Sequence, residues 1–349
     1  MMQKIKVGEK LIGKGESTYI VAELGVNHNG DMNIVRKLID KAAEAGVDAI
    51  KFQKFKTEAL VTKMAPKAKY QEVTTDKSES QYDMLKRLEL NESNLKELYS
   101  YAVSKGIEAF ATPFDDESVD FLYDLGIKAY KVGSGDITNL PMLKRIAKKK
   151  LPIILSAGMS TLGEIEDALD AIRSEGNEEI VLMHCTSNYP TDEEQVNLRA
   201  MNTMMDAFGV PTGYSDHTMG TAVSIAAVAR GAVIIEKHFT LDRSLPGPDH
   251  TASLEPDELK QLVDGIRAVE KALGSPIKKP NESELEVKSV AQKSIVAQVD
   301  IKKGEVITSE MLTMKRPGTG IKPKYLDFVV GRTAKVDIKA DELIELDMF

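Results

Sequence analysis

The chain has 349 residues, 42% of them apolar and 29% charged, which suits a folded globular protein and excludes disorder over most of its length. Acidic residues outnumber basic ones, 54 to 46, and the net charge of −8 speaks against non-specific nucleic-acid binding. The single cysteine, Cys185, excludes an intrachain disulfide. No signal-like apolar run opens the chain, and the longest small/apolar stretch, 222–236, contains Arg230 and is short of the ~20 residues a membrane helix needs. A cytoplasmic protein without membrane or nucleic-acid partners is expected. The length exceeds one (β/α)8 barrel of about 250 residues yet falls short of two.

In chain order, eight runs read as strands: 19–25, 48–53, 106–112, 129–134, 152–158, 179–186, 211–217 and 232–240. Several are almost continuously apolar, such as Ile153-Ile154-Leu155 and Val233-Ile234-Ile235, as in parallel strands covered on both faces. Helical periodicity fills the gaps. Ile34, Val35, Leu38, Ile39 and Ala42 share one face, with Gly46 just beyond them. Thr161 and Glu164 read as a capping box, and Leu259, Leu262, Val263, Ile266, Val269 and Leu273 form a final amphipathic stripe. Eight strand–helix units predict an α/β fold, a (β/α)8 TIM barrel; a doubly wound open sheet is the alternative. The segment 54–86 interrupts the rhythm with a polar stretch rich in Lys, Thr, Ser and Gln, either a binding lid or a surface insertion.

The barrel is expected over 1–275, followed by a Pro-containing polar linker at 276–284 and a small, mostly β domain over 285–349. That domain carries a weak internal repeat. Asp300-Ile-Lys and Asp337-Ile-Lys open two similar stretches that end at Met311 and Met348.

Barrel enzymes place their chemistry at the C-terminal ends of strands. Here those ends carry Glu23, Lys51 and Gln53, Thr112, Lys131 and Ser134, Ser156, His184, Ser215 and His217, and Glu236 and His238. Alternation puts Lys51/Gln53, Ser215/His217 and Glu236/His238 on shared faces. Such a set points to catalysis rather than to a structural barrel. Lys51 and Lys131, with hydroxyls from Ser134, Ser156, Ser187 and Ser215, suit a phosphate-type anion. A strand-end lysine equally suits Schiff-base aldolase chemistry. His217 and His238 end neighbouring strands and read as an open Mn²⁺ or Mg²⁺ site or as hydrogen-bonded core groups. His28 and His184 are lesser candidates. Cys185, one residue from His184, is expected on the opposite side as buried packing. The turn Pro246-Gly-Pro-Asp249 can aim Asp249 at a ligand.

These motifs, taken in order, resemble the sialic-acid synthase family. The resemblance rests on Lys51-Phe-Gln53, Tyr130-Lys-Val-Gly-Ser-Gly-Asp136, Leu155-Ser-Ala-Gly-Met159, His184-Cys-Thr-Ser-Asn-Tyr-Pro190, Tyr214-Ser-Asp-His-Thr218, Glu236-Lys-His-Phe-Thr240 and Pro246-Gly-Pro-Asp249. Lys315-Arg-Pro-Gly-Thr-Gly320 resembles the family's antifreeze-like (SAF) domain. The resemblance implies a synthase that condenses phosphoenolpyruvate with an N-acylated hexosamine. It implies a divalent metal on His217 and His238, and a phosphoenolpyruvate site from Lys51, Lys131, Ser134, Ser156, Ser187 and Ser215. Gln53, Tyr189, Glu236 and Asp249 would meet the sugar, and Glu23, with Lys51, would be catalytic. It further implies a homodimer in which Arg316 of the small domain reaches the sugar in a partner's site. N-acetylmannosamine, giving N-acetylneuraminate, is the expected acceptor; a 2,4-diacetamido-trideoxyhexose, giving N,N'-diacetyllegionaminate, is the alternative. Ser187 and Asp136 differ from the Asn and Glu that sialic-acid members often carry. The run 247–256 resembles sialic- and legionaminic-type members more than pseudaminic ones. A non-catalytic binding role, suggested by the small domain alone, leaves the strand ends unexplained.

Overall fold

The computed structural model describes residues 3–76 and 78–349, and these form two compact units, Met1–Gly274 and Ser275–Phe349. The first unit opens with a hairpin, β1 (Ile5–Val7) and β2 (Lys10–Ile12). Strands and helices then alternate: β3 (Tyr19–Gly25), α1 (Met32–Ala45), β4 (Ala49–Lys54), four helices α2 (Thr57–Leu60), α3 (Lys69–Thr74), α4 (Gln81–Leu88) and α5 (Glu92–Ser104), then β5 (Glu108–Pro113) and α6 (Asp116–Leu125). The second half runs β6 (Tyr130–Val132), α7 (Leu140–Lys148), β7 (Ile153–Ser156), α8 (Leu162–Ser174), β8 (Ile180–Cys185), α9 (Arg199–Phe208), β9 (Thr212–Asp216), α10 (Ala222–Ala229), β10 (Ile234–His238) and α11 (Pro256–Leu273).

The eight strands β3–β10 are parallel, and the hydrogen-bonded order is β5-β4-β3-β10-β9-β8-β7-β6. The first barrel strand therefore pairs with the last, Tyr19 opposite Ile234 and Glu23 opposite His238. That pairing curls the sheet into a nearly closed TIM-type barrel and removes the doubly wound alternative. Each junction has a local cause. Asp31 accepts from the Asn33 amide to open α1, and Gly46 closes it in the left-handed region at φ 87°. The Thr161–Glu164 box opens α8 as its residues foretell, a cap worth about 1 kcal/mol.

Alternation along the strands sorts the side chains into two cores. Outward-facing residues such as Ile20, Ile50, Leu155, Leu182 and Ile235 pack against the helices. Inward-facing residues fill the lower barrel: Tyr19, Val21, Ala49, Phe110, Ile154, Val181, Met183 and Ile234. Ile5, Val7 and Ile12 of the hairpin join this inner cluster, so the N-terminal segment packs into the barrel core. Its three-residue strands carried no periodicity long enough to announce it.

The second unit contains α12 (Glu282–Ala291) and the antiparallel strands β11 (Ser294–Ala297) and β12 (Leu312–Lys315). Its core holds Ile295, Ile301, Ile307, Val329, Ile338 and Ile344. The internal repeat has a structural counterpart. Ile301 and Ile338 exchange both backbone hydrogen bonds, at 2.9 and 2.8 Å. Lys339 pairs with Asp300 at 3.0 Å and Lys302 with Asp337 at 3.6 Å, so each copy's aspartate answers a lysine of the other. A short helix, α13 (Leu326–Val329), completes the unit.

Candidate active site

Above the apolar inner layer, the same inward-facing strand positions turn polar. Register explains who meets whom. Glu23 lies beside Lys51 on the adjacent strand, Ser215 beside Glu236, and Ser215 again beside Cys185. Lys51 Nζ sits between two carboxylates, 3.0 Å from Glu23 Oε2 and 3.0 Å from Glu236 Oε1. Glu236 Oε1 also accepts from Ser215 Oγ at 3.0 Å and lies 3.4 Å from Lys131 Nζ. Lys131 in turn donates to Ser156 Oγ at 2.7 Å. Glu236 thus joins the two lysines into one buried network, and its other oxygen has no hydrogen-bond partner.

A second group converges on Gly158. Its amide donates to Ser134 Oγ at 3.0 Å, and Ser134 Oγ lies 3.0 Å from Cys185 Sγ. A Cβ at Gly158 would stand 2.5 Å from Ser187 Oγ and 2.7 Å from Ser134 Oγ, so only glycine leaves this cradle open. A third group surrounds Gly25, whose φ is 49°. A Cβ there would meet Glu23 Oε1 at 3.0 Å and both Asp249 Oδ2 and Gln53 Nε2 at 3.4 Å. Gln53 donates to Glu23 at 3.4 Å.

The histidine pair completes the mouth. The rings of His217 and His238 are 5.4 Å apart, and Tyr189 packs 4.1 Å from the first and 5.5 Å from the second. His217 Nδ1 lies 2.7 Å from the Thr186 carbonyl and, as the donor, leaves Nε2 a free lone pair. His238 Nδ1 is buried without a hydrogen-bond partner, 3.9 Å from Asp249 Oδ2.

Burial sets the protonation states. It pushes the Glu23 carboxyl up to about 7, against the pull of Lys51. It likewise lifts Asp249 to about 6. Burial would raise Glu236 too, but Lys131 and Lys51 outweigh it and hold this carboxylate well below its usual range. Burial opposes the charge on Lys51, yet Glu23 and Glu236 overcome it and keep the ammonium protonated. Lys131 is pulled down by burial, with Glu236 opposing. Both imidazoles are kept neutral by burial, His217 at about 4 and His238 well below the usual histidine range. Neutral imidazoles with free nitrogens are what a divalent cation requires, so the pair fits such an ion. Among the described residues no group of three or more His, Cys, Asp and Glu side chains forms a ready cage, so solvent or substrate would supply the remaining ligands.

The barrel therefore gathers Glu23, Lys51, Gln53, Lys131, Ser134, Ser156, Ser187, Tyr189, Ser215, His217, Glu236, His238 and Asp249 at one mouth. Arg316 is exposed on the second unit, just after β12, with a cis bond to Pro317. Cys185 corrects an expectation. It does face away from His184, but the side it faces is the inner one, against Ser134. His184 is the outward residue, stacked on Tyr214 with Nε2 2.7 Å from the Val196 carbonyl. His28 and His250 serve structure, the first accepting from the Gly30 amide and the second 2.7 Å from Thr240 Oγ1.

Two features had no sequence signal strong enough to find them. Tyr70 of α3 packs against Tyr189 as a tilted ring pair, centroids 5.1 Å apart. Behind the site, Asp216 and Lys237 form a fully buried ion pair at 3.0 Å. The alternation beside His217 and His238 is the one clue to that pair. Asp216 and Lys237 must point outward if their neighbours point in.

Such a barrel, with coupled lysines and carboxylates at its strand ends, defines an enzyme that handles an anionic substrate. The NeuB family model matches residues 38–278 and the SAF domain model residues 292–349, and the chain belongs to the NeuB family. It is 50% identical over 331 residues to the N,N'-diacetyllegionaminic acid synthase of Campylobacter jejuni, covering 94% of this chain and 99% of that one. It is 48% identical to the Legionella pneumophila protein of the same name, covering 95% of each. The crystal structure of the N-acetylneuraminic acid synthetase of Leptospira borgpetersenii, in complex with citrate, superposes with a TM-score of 0.73 at 36% identity. That match spans 82% of this chain and 95% of the other.

Proposed function

We propose that the chain is a phosphoenolpyruvate-dependent nonulosonic acid synthase whose acceptor is a 2,4-diacetamido-2,4,6-trideoxyhexose, giving N,N'-diacetyllegionaminate. This replaces the N-acetylmannosamine expected from the motifs. The observation that carries it is the identity of 50% and 48% to two N,N'-diacetyllegionaminic acid synthases, against 36% to an N-acetylneuraminic acid synthetase.

In this reading Lys51 and Lys131 are the cations for the trianionic donor, and Ser134, Ser156, Ser187 and Ser215 orient it. Glu236 occupies the lysines when the donor is absent and turns to the sugar with Gln53, Tyr189 and Asp249 when it arrives. C3 of phosphoenolpyruvate attacks the open-chain aldehyde carbon, water adds to C2, and the C2–O bond breaks to release phosphate. Orientation by this fixed set supplies much of the rate. Glu23, poised near neutrality, takes the proton from the attacking water. Lys51, clamped as a cation by two carboxylates, is unsuited to Schiff-base attack, which needs a neutral amine.

A divalent cation on His217 and His238, Mn²⁺ or Mg²⁺, would supply Lewis-acid polarisation when bound. His217→Ala and His238→Ala are each expected to weaken Mn²⁺ binding at least ~10-fold, read by electron paramagnetic resonance of the free ion. Wild-type Mn²⁺ affinity in both variants would remove the pair from that role. The acceptor is tested by measuring kcat/KM with phosphoenolpyruvate and each sugar. The diacetamido sugar is expected to lead by about 10²-fold or more. A lead for N-acetylmannosamine would reverse the assignment.

A further inference from the structure

The segment 54–86 holds a side chain that the motif reading did not use. Its second helix, α3, is braced from several directions. Lys67 donates to Thr75 Oγ1 at 2.9 Å and pairs with Glu79 at 3.6 Å. The Ala68 amide donates to Gln71 Oε1 at 2.9 Å, and the Gln81 amide donates to the Ala65 carbonyl at 3.2 Å. This bracing presents the Tyr70 ring to Tyr189, 5.1 Å away and tilted by 32°. Tyr189 in turn contacts both imidazoles. Burial, and next the Asp249 carboxylate, push the Tyr70 hydroxyl up.

We propose that Tyr70 is a specificity-determining residue, an aromatic face for the end of the acceptor sugar remote from its aldehyde. This rests on the acceptor assigned above. The aromatic row runs outward from the histidines through Tyr189 to Tyr70. With the aldehyde at the histidines, a six-carbon chain lying along that row brings its far carbons to Tyr70. The two candidate sugars differ at that end, at C4 and C6. The trideoxy sugar carries a methyl group at C6 and an acetamido methyl at C4, which gain from contact with a ring face. N-acetylmannosamine carries hydroxyls at both carbons, and these would lose water against the ring without gaining a partner. The polar insertion after β4 thus acts as part of the acceptor site rather than as a bystander.

The experiment compares kcat/KM for the two sugars at saturating phosphoenolpyruvate in wild type, Tyr70→Ala, Tyr70→Leu and Tyr70→Phe. The alanine and leucine variants are expected to lower the preference for the diacetamido sugar about tenfold, through its KM, with the KM for phosphoenolpyruvate unchanged. The phenylalanine variant is expected to keep the preference, because the ring and not the hydroxyl makes the contact. An unchanged sugar ratio in the alanine and leucine variants would overturn the inference. So would an equal loss on both sugars accompanied by a shift in the phosphoenolpyruvate KM. The wild-type ratio by itself tests the acceptor assignment, and its change on substitution tests Tyr70, so the two failures are told apart.

Discussion

Lys237→Met is expected to destabilise the barrel by about 3–5 kcal/mol and lower its Tm on the order of 10 °C. Lys237 and Asp216 are both fully buried, 3.0 Å apart, on the outer face of β10 and β9. Asp216 Oδ1 accepts from the amide and hydroxyl of Thr218, each at 2.8 Å, and Oδ2 accepts from Ser224 at 2.6 Å. Lys237 also donates to the Thr218 carbonyl. Removing the ammonium leaves a buried carboxylate with neutral donors only, which is the costly way to break a buried pair. The double variant Asp216→Asn/Lys237→Met leaves no net charge behind and is expected to recover most of the loss. Urea or thermal unfolding of wild type and the two variants measures this. A single variant as stable as wild type would show that the pair contributes nothing. The stakes extend to the site, because His217 lies between Asp216 and Thr218 and Lys237 lies between Glu236 and His238.

Lys51→Met is expected to reduce kcat/KM for phosphoenolpyruvate by about 10³ or more while the protein still folds. The buried Lys51 ammonium holds Glu23 and Glu236 at 3.0 Å each. Without it, the two carboxylates face one another with Lys131 as the remaining nearby cation, and one of them takes up a proton. Coulomb repulsion then favours the neutral form, as in any close carboxylate pair. The fold survives because protonation removes the uncompensated charge. Catalysis does not, because a trianion loses a charge-assisted contact in a site where such contacts are strongest. Steady-state kinetics at varied phosphoenolpyruvate, with circular dichroism as the folding control, reads the outcome. Wild-type kcat/KM would reduce Lys51 to a structural counter-ion of the two glutamates.

Much of this site was legible along the chain because period-two alternation is a local property. It pairs Lys51 with Gln53, Ser215 with His217 and Glu236 with His238 whatever their neighbours are. The same rule separated His184 from Cys185 but could not say which of them faced inward. That depends on the phase of β8 against the barrel axis, fixed by the packing of Val181 and Met183 in the inner layer. The N-terminal hairpin and the short helices of 54–86 escaped for a different reason. Their runs are too brief for periodicity to distinguish helix, strand and loop.

The sequence by itself determined the eight-unit barrel, the small repeat-bearing C-terminal region, and the inventory of lysines, serines, histidines and carboxylates at the strand ends. Hydrophobic period and strand-end chemistry are written in contiguous residues. Only the tertiary structure decided how that inventory is wired. Glu236 reaches Lys51 from β10 across β3, Gly158 opens a cradle between Ser134 and Ser187, and Tyr70 meets Tyr189 from a segment over a hundred residues earlier. These contacts arise from inter-strand register and barrel closure, which bring distant residues within hydrogen-bonding range. The excess of the chain over a single barrel resolves in the same way. It is a compact second unit with its own core, whose two repeats are tied by reciprocal Asp–Lys pairs.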